Sequence, residues 1–365
     1  MEGKEMNNLL PLLSLVVFLG HFFAITESAK APALFIFGDS LVDNGNNNYI
    51  PTLARANYPP YGIDIGGPTG RFSNGLTVAD YAARYLGLKS PPPYLSLSSS
   101  KLTLGGMNYA SAAAGILEET GRHYGSRVTF NDQISSFITT MKLHSALLIQ
   151  NQEALSKYIA DSLFIINIGS NDYIDNYLLP LLYPSSTIYS GDSFTKLLIE
   201  NLSQQLESLY RLGARKFVVI GLGPLGCIPS QLSSNKSITG QCVDSVNDLV
   251  MTYNSYLVHL LNTLNSTLSG SFFVYEDVYS PFIEIINSPS TYGFTEANQA
   301  CCGNGQYGGE LTCLALQKPC TDRDKYVFWD SYHPTQAVNK IIAAGCYGES
   351  ATNCHPISGT KLAQL

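Results

Sequence analysis

A nearly unbroken apolar run at residues 163–168, interrupted only by Asn167, ends abruptly in Gly169-Ser170-Asn171-Asp172. A strand buried on both faces reads this way, and such strands belong to parallel sheets covered by helices on both sides. The run at 34–37 repeats the design, stopping at Gly38-Asp39-Ser40, and 217–220 repeats it again before Gly221. Between these runs, apolar residues recur at helical spacing. Val78, Tyr81, Ala82, Tyr85 and Leu86 predict a helix over 77–86, and Phe130, Ile134, Phe137, Ile138 and Met141 predict a second. Further helices are expected over 193–212 and 246–264, with a strand at 272–275. Strand and helix in alternation, joined by short polar turns, mean an α/β fold with a parallel sheet.

Neither an internal repeat nor a linker-like stretch divides residues 30–354, so residues 30–365 read as a single domain with a cysteine-rich insertion at about 300–320. The N-terminus reads as a separate segment. Lys4 precedes an apolar run that Pro11, Gly20 and His21 interrupt, and small residues follow near Ser28 and Ala29. That pattern fits a secretory signal over 1–29, removed in the mature chain, better than a membrane anchor. Eight cysteines, an even number, suit disulfides in a secreted protein. Proximity suggests Cys227 with Cys242, Cys346 with Cys354, and a cluster of Cys301, Cys302, Cys313 and Cys320. No C-x2-C pair supports zinc instead. Asn201, Asn235 and Asn265 each begin an N-glycosylation sequon, and Asn235 has the most polar surroundings. A net charge of −7 without a basic cluster argues against nucleic-acid binding.

In an open α/β sheet, ligands bind beyond the carboxyl ends of the strands. Ser40 is delivered to that edge, although Gly-Asp-Ser is also ordinary turn composition. A serine hydroxyl becomes a useful nucleophile only beside a base, usually a histidine oriented by a carboxylate. His333, three residues after Asp330 on a loop ahead of a helix, is the histidine best placed to act, and it must be neutral to accept a proton. Asn171, at another strand end, could donate to a developing oxyanion or simply cap a turn. The small-residue stretch 105–115 would let a ligand approach the backbone closely. Gly221-Leu222-Gly223-Pro224-Leu225-Gly226 does not spell a dinucleotide fingerprint.

These pieces resemble the plant GDSL-motif esterases and lipases of the SGNH hydrolase superfamily. The resemblance rests on Phe37-Gly38-Asp39-Ser40-Leu41, Gly70-Arg71-Phe72-Ser73-Asn74-Gly75, Asn108-Tyr109-Ala110-Ser111, Gly169-Ser170-Asn171-Asp172, Gly223-Pro224-Leu225-Gly226-Cys227, Cys301-Cys302-Gly303-Asn304-Gly305 and Asp330-Ser331-Tyr332-His333-Pro334-Thr335, in that order. It implies a three-layer, flavodoxin-like α/β/α sandwich and no cofactor. It makes Ser40 the nucleophile, His333 the base, Asp330 the orienting acid, and Asn171 with the amides of Ser40 and Gly115 the oxyanion donors. Many relatives have several glycines where this chain reads Ser111-Ala112-Ala113-Ala114-Gly115. The expected activity is secreted hydrolysis of carboxylic esters, of lipids or of acylated small molecules or polysaccharides, through an acyl-enzyme on Ser40, without stable membrane insertion once the signal is cleaved. An acyltransferase would use the same triad, and a silent carbohydrate- or lipid-binding glycoprotein is the alternative from another class.

Overall fold

The structure, a computed structural model, describes residues 31–97 and 102–365. The expected signal segment lies outside the described residues. Five parallel strands form the body of the sheet: β1 (Leu34–Gly38), β2 (Gly106–Asn108), β3 (Leu163–Asn167), β4 (Lys216–Ile220) and β5 (Phe272–Glu276). They lie side by side in the order β5-β4-β3-β1-β2. Register pairs Leu34 with both Gly106 and Leu163. This is the flavodoxin-like order, whose switch point lies between β1 and β3. A short antiparallel strand, Cys354–His355, closes the β5 edge; no apolar run announced it.

The helices form the outer layers of a three-layer α/β/α sandwich. They are α1 (Val78–Tyr85), α2 (Phe130–Leu147), α3 (Gln152–Asp161), α4 (Gly191–Arg211), α5 (Asp244–Thr267), α6 (Tyr279–Asn287), α7 (Gln336–Tyr347) and α8 (Gly359–Gln364). In one layer α2 packs on α4 and α4 on α5, while α1 and α7 pack together in another. The expected stripes face inward, with Phe130, Ile134, Phe137 and Met141 of α2 and Phe194, Leu198, Leu202, Leu206 and Leu209 of α4 buried. Aromatic rings knit the middle of the sheet to α2. Phe35 lies 5.2 Å from both Phe137 and Phe164, and Phe37 lies 4.9 Å from Tyr109. Truncating such a ring to alanine typically costs ~3–5 kcal/mol.

The long loop after β1 is held by polar side chains. Thr77 and Asp80 form a reciprocal capping box at the start of α1, and Arg71 makes two bonds to Asp80 at 2.7 and 2.8 Å. A planar fork on a carboxylate fixes direction as well as distance. The loop packs into a second, smaller apolar cluster of Ala56, Tyr61, Phe72, Ala112, Trp329 and the cysteines of the insertion. Four disulfides are present: Cys227–Cys242, Cys301–Cys320, Cys302–Cys313 and Cys346–Cys354. The two outer pairings follow sequence proximity as expected, and the insertion closes as two nested loops.

Of the three sequons, Asn235 is exposed just after the short helix Pro229–Ser234. Asn201 sits mid-helix in α4, its amide donating to Leu197 O. Asn265 exchanges two hydrogen bonds with the backbone of Phe273, tying α5 to β5. No helix among the described residues is long and apolar enough to cross a membrane.

Candidate active site

The turn after β1 is built to leave a serine at the switch point. Gly38 has φ +151°, and a Cβ there would lie 2.1 Å from Asn167 O, so only glycine lets β1 converge on β3. Gln133 of α2 clamps both sides of that peptide: its Oε1 accepts from Gly38 N at 2.9 Å and its Nε2 donates to Gly38 O at 2.8 Å. Asp39 N donates to Asn167 O, and Asp39 Oδ1 accepts from Leu41 N, closing the turn. Ser40 emerges from this frame 9% exposed.

The loop between residues 328 and 335 supplies its partner. His333 Nε2 lies 2.7 Å from Ser40 Oγ, and His333 Nδ1 lies 2.8 Å from Asp330 Oδ1. Asp330 is fully buried, and its Oδ1 also accepts from the backbone N–H groups of Tyr332 and His333. Tyr61, from the loop after β1, donates to Asp330 Oδ2 at 2.7 Å. Burial alone would raise the Asp330 carboxyl. The opposing effects of His333, Tyr61 and the backbone donors win, and hold it below the ordinary carboxylate range. Phe72 lies 5.0 Å from the imidazole, and Trp329 N donates to His333 O. The ring is thus oriented from three sides.

Asn171 follows β3 as Ser40 follows β1. Its Nδ2 donates to Ala114 O at 2.8 Å, which fixes the amide and leaves its second hydrogen for another acceptor. The small-residue stretch is held against it by a carboxylate. Asp43 accepts from the N–H groups of Gly45, Asn46, Asn47 and Ala112, and Asn47 Nδ2 donates back to Ala112 O. Ala113 then adopts φ +64° and lines the cavity beside Ser40. Gly115 does not line it. The space a Cβ would take at Gly115 is filled by Thr120 and Asp172, placing this glycine behind the wall. Among the described residues neither N–H is bonded to an acceptor, but only Ala113 borders the serine.

A cavity of about 290 Å³ opens over Ser40, Asn171 and His333. Charged residues Arg55, Asp175 and Glu310 share its wall with Tyr58, Tyr124 and Leu53. Burial pushes the Asp175 carboxyl up to about 7, and Tyr124 OH donates to it at 3.2 Å. Burial likewise raises Asp39 to about 7. Asp172, raised to about 6 by burial, accepts from Ile116 N, Leu117 N and Thr120 Oγ1 and so anchors the far end of the small-residue stretch.

Two other histidines among the described residues are engaged elsewhere. His144 is buried in α2, and His123 contacts Tyr183 OH at 2.8 Å. Glu276 lies near Cys346 and Cys354, but those two sulfurs are bonded to each other, so the trio is no metal ligand set. Sequence reasoning did not single out Tyr61, Ala113, Asp43 or Gln133. A tyrosine in a proline- and glycine-rich loop carries no local sign of a carboxylate 269 residues away.

Residues 34–345 match the family model described as GDSL-like Lipase/Acylhydrolase. The chain is 58% identical over 352 residues to GDSL esterase/lipase 7 of Arabidopsis thaliana, covering 96% of this chain and 97% of that protein. It is 47% identical over 344 residues to GDSL esterase/lipase At5g08460 of the same plant, covering 93% and 89% respectively.

Proposed function

This chain belongs to the GDSL-like lipase/acylhydrolase family, and from that premise we propose that it is a secreted serine hydrolase that cleaves carboxylic esters through an acyl-enzyme on Ser40. The observation that carries the mechanism is the continuous hydrogen-bond chain Ser40 Oγ, His333 Nε2, His333 Nδ1, Asp330. Ser40 Oγ attacks the ester carbonyl as its proton passes to His333 Nε2. The resulting oxyanion accepts from Asn171 Nδ2, the Ser40 amide and the Ala113 amide; Ala113 takes the place expected of Gly115. Collapse breaks the C–O bond to the alcohol, which leaves with the proton from His333. Water then repeats the sequence on the acyl-enzyme, releasing the carboxylic acid and restoring Ser40. Asp330, ionised throughout, holds the imidazole and stabilises its cation.

Extracellular placement is supported by four disulfides, which persist in oxidising compartments. The sheet, the loop after β1 and the stapled insertion act as one domain in this reading, because each contributes a wall or a side chain to one site. A serine-directed fluorophosphonate should label wild-type protein at Ser40, and Ser40→Ala should lose both labelling and turnover of p-nitrophenyl esters. Wild-type turnover by Ser40→Ala would overturn the mechanism.

A further inference from the structure

A polar groove leaves the cavity over Ser40 at Glu310 and Tyr332, the two residues that line both spaces. It measures about 740 Å³, within the ~300–1,000 Å³ of sites that take drug-sized ligands. Beyond the junction its wall carries Ser230, Ser233, Ser234, Lys236 and Gln306, and Ile238 is its one aliphatic side chain among the described residues. Two disulfide-closed loops form it. Residues 230–238 lie inside the Cys227–Cys242 loop, whereas Gln306 and Glu310 lie inside the Cys302–Cys313 loop. Gln306 Nε2 and Tyr307 OH both donate to Ser237 O, at 2.8 and 3.0 Å, and tie the two loops together. Ser331, which follows Asp330, accepts from Ser230 N at its carbonyl and donates its hydroxyl to Gly308 O. The groove is thereby held in register with the His333 loop. Ser230 itself is 5% exposed, and its hydroxyl has no hydrogen-bond partner among the described residues.

We propose that this groove binds the hydroxyl-rich alcohol portion of the ester, so that the substrate is an O-acylated oligosaccharide. The inference rests on the esterase reading above. A neutral ligand crowded with hydroxyls can donate to Glu310, accept from Lys236 and pair with the free Ser230 hydroxyl, which both donates and accepts. An aliphatic chain in the same place would strip water from the two charges without replacing it. An anionic ligand would meet Glu310, and a cationic one Lys236. Because both loops are tied down ahead of binding, little ordering cost offsets these contacts. Binding energy from sugar units remote from the ester can then serve the reaction at Ser40.

Mono-O-acetyl glucose and mono-O-acetyl cellotetraose share an acyl group and differ in the length of the alcohol, so acetate release from the two isolates the groove. In wild type kcat/KM should be about tenfold or more higher for the tetrasaccharide. Ser234 lines the groove, exposed at the end of the short helix Pro229–Ser234, and Ser234→Trp adds bulk there from the open side. That variant should bring the tetrasaccharide-to-monosaccharide ratio to about one. Ser230→Ala should lower the ratio about fivefold, the effect of one hydrogen bond. Asn235 lies between two lining residues, so the ratio is also read in Asn235→Gln, where no glycan shares the space. With Ser40 still labelled by fluorophosphonate, two results overturn the groove assignment alone. One is a ratio near one in both wild type and Asn235→Gln; the other is a raised ratio that Ser234→Trp and Ser230→Ala both leave unchanged. Failure of wild-type labelling overturns the esterase reading, and this inference with it.

Discussion

Tyr61 OH donates a 2.7 Å hydrogen bond to Oδ2 of Asp330, so the loop that follows β1 braces a carboxylate 269 residues further along the chain. Asp330 is buried, and a carboxylate there needs every donor it has. Hydrogen bonds to charged groups contribute ~1.5–3 kcal/mol. Tyr61→Phe keeps the ring contacts with Trp329 and Phe72 and removes only the hydroxyl. It should lower kcat about tenfold with KM nearly unchanged and should displace the acid limb of the kcat–pH profile. Steady-state kinetics across pH checks this, and an unaltered profile would reduce Tyr61 to a packing role.

Asn171 is predicted to act in the transition state and not in ground-state binding. Loss of one oxyanion donor typically costs about 10²–10³ in kcat. Asn171→Ala should show that loss while still reacting slowly with fluorophosphonate at Ser40. Because its amide also holds Ala114 O, thermal unfolding of the variant separates a lost donor from a collapsed loop. A Tm within about 3 °C of wild type supports the donor role.

Glu276 makes stability depend on pH. Its side chain is buried without a partner among the described residues, and burial pushes it up to about 8. The unfolded chain releases this proton near ~4.3. Between those values the folded state holds a proton that the unfolded state has lost, so stability falls as pH rises through the window and levels off above about 8. Asp39 and Asp175, each raised to about 7 by burial, act in the same direction. Glu276→Gln removes one of these groups. Relative to wild type, its Tm should rise by about 2 °C or more between about pH 5 and pH 8.5, read by scanning calorimetry.

Glycan occupancy should single out Asn235. Asn265 uses its whole amide on Phe273, whereas Asn235 is exposed beyond a short helix. Asn235→Gln should remove a glycan-sized mass from protein secreted by a eukaryotic host, while Asn265→Gln should leave the mass unchanged apart from the residue itself.

The parts legible in the sequence were those set by local rules. Continuous apolar runs marked β1, β3 and β4, and spacing marked α2, α4 and α5, because a doubly covered sheet imposes both patterns directly. The edge strand at Cys354 and His355 left no such mark, since two residues held by β5 and a disulfide need no apolar run. Within the site, Ser40, Asn171, Asp330 and His333 sit at element ends, where composition changes sharply. The small-residue stretch was readable as a close-approach backbone, but not which residue would face the serine. That is settled by Asp43, Asn47 and Asp172, which pin the stretch from both ends and turn Ala113 inward while Gly115 falls behind Thr120.

The two sides of the Ser40–His333 hydrogen bond are secured by different means. Ser40 is registered by the sheet, through Gly38 packed on Asn167, and its position follows from cooperative folding alone. Asp330 and His333 adjoin the small cluster of Tyr61, Trp329 and the Cys301–Cys320 and Cys302–Cys313 bridges. The two bridges of the insertion therefore fasten the wall against which Asp330 and His333 lie. Reducing those two bridges should loosen the Asp330–His333 side of the hydrogen bond before the Ser40 side, which the sheet holds.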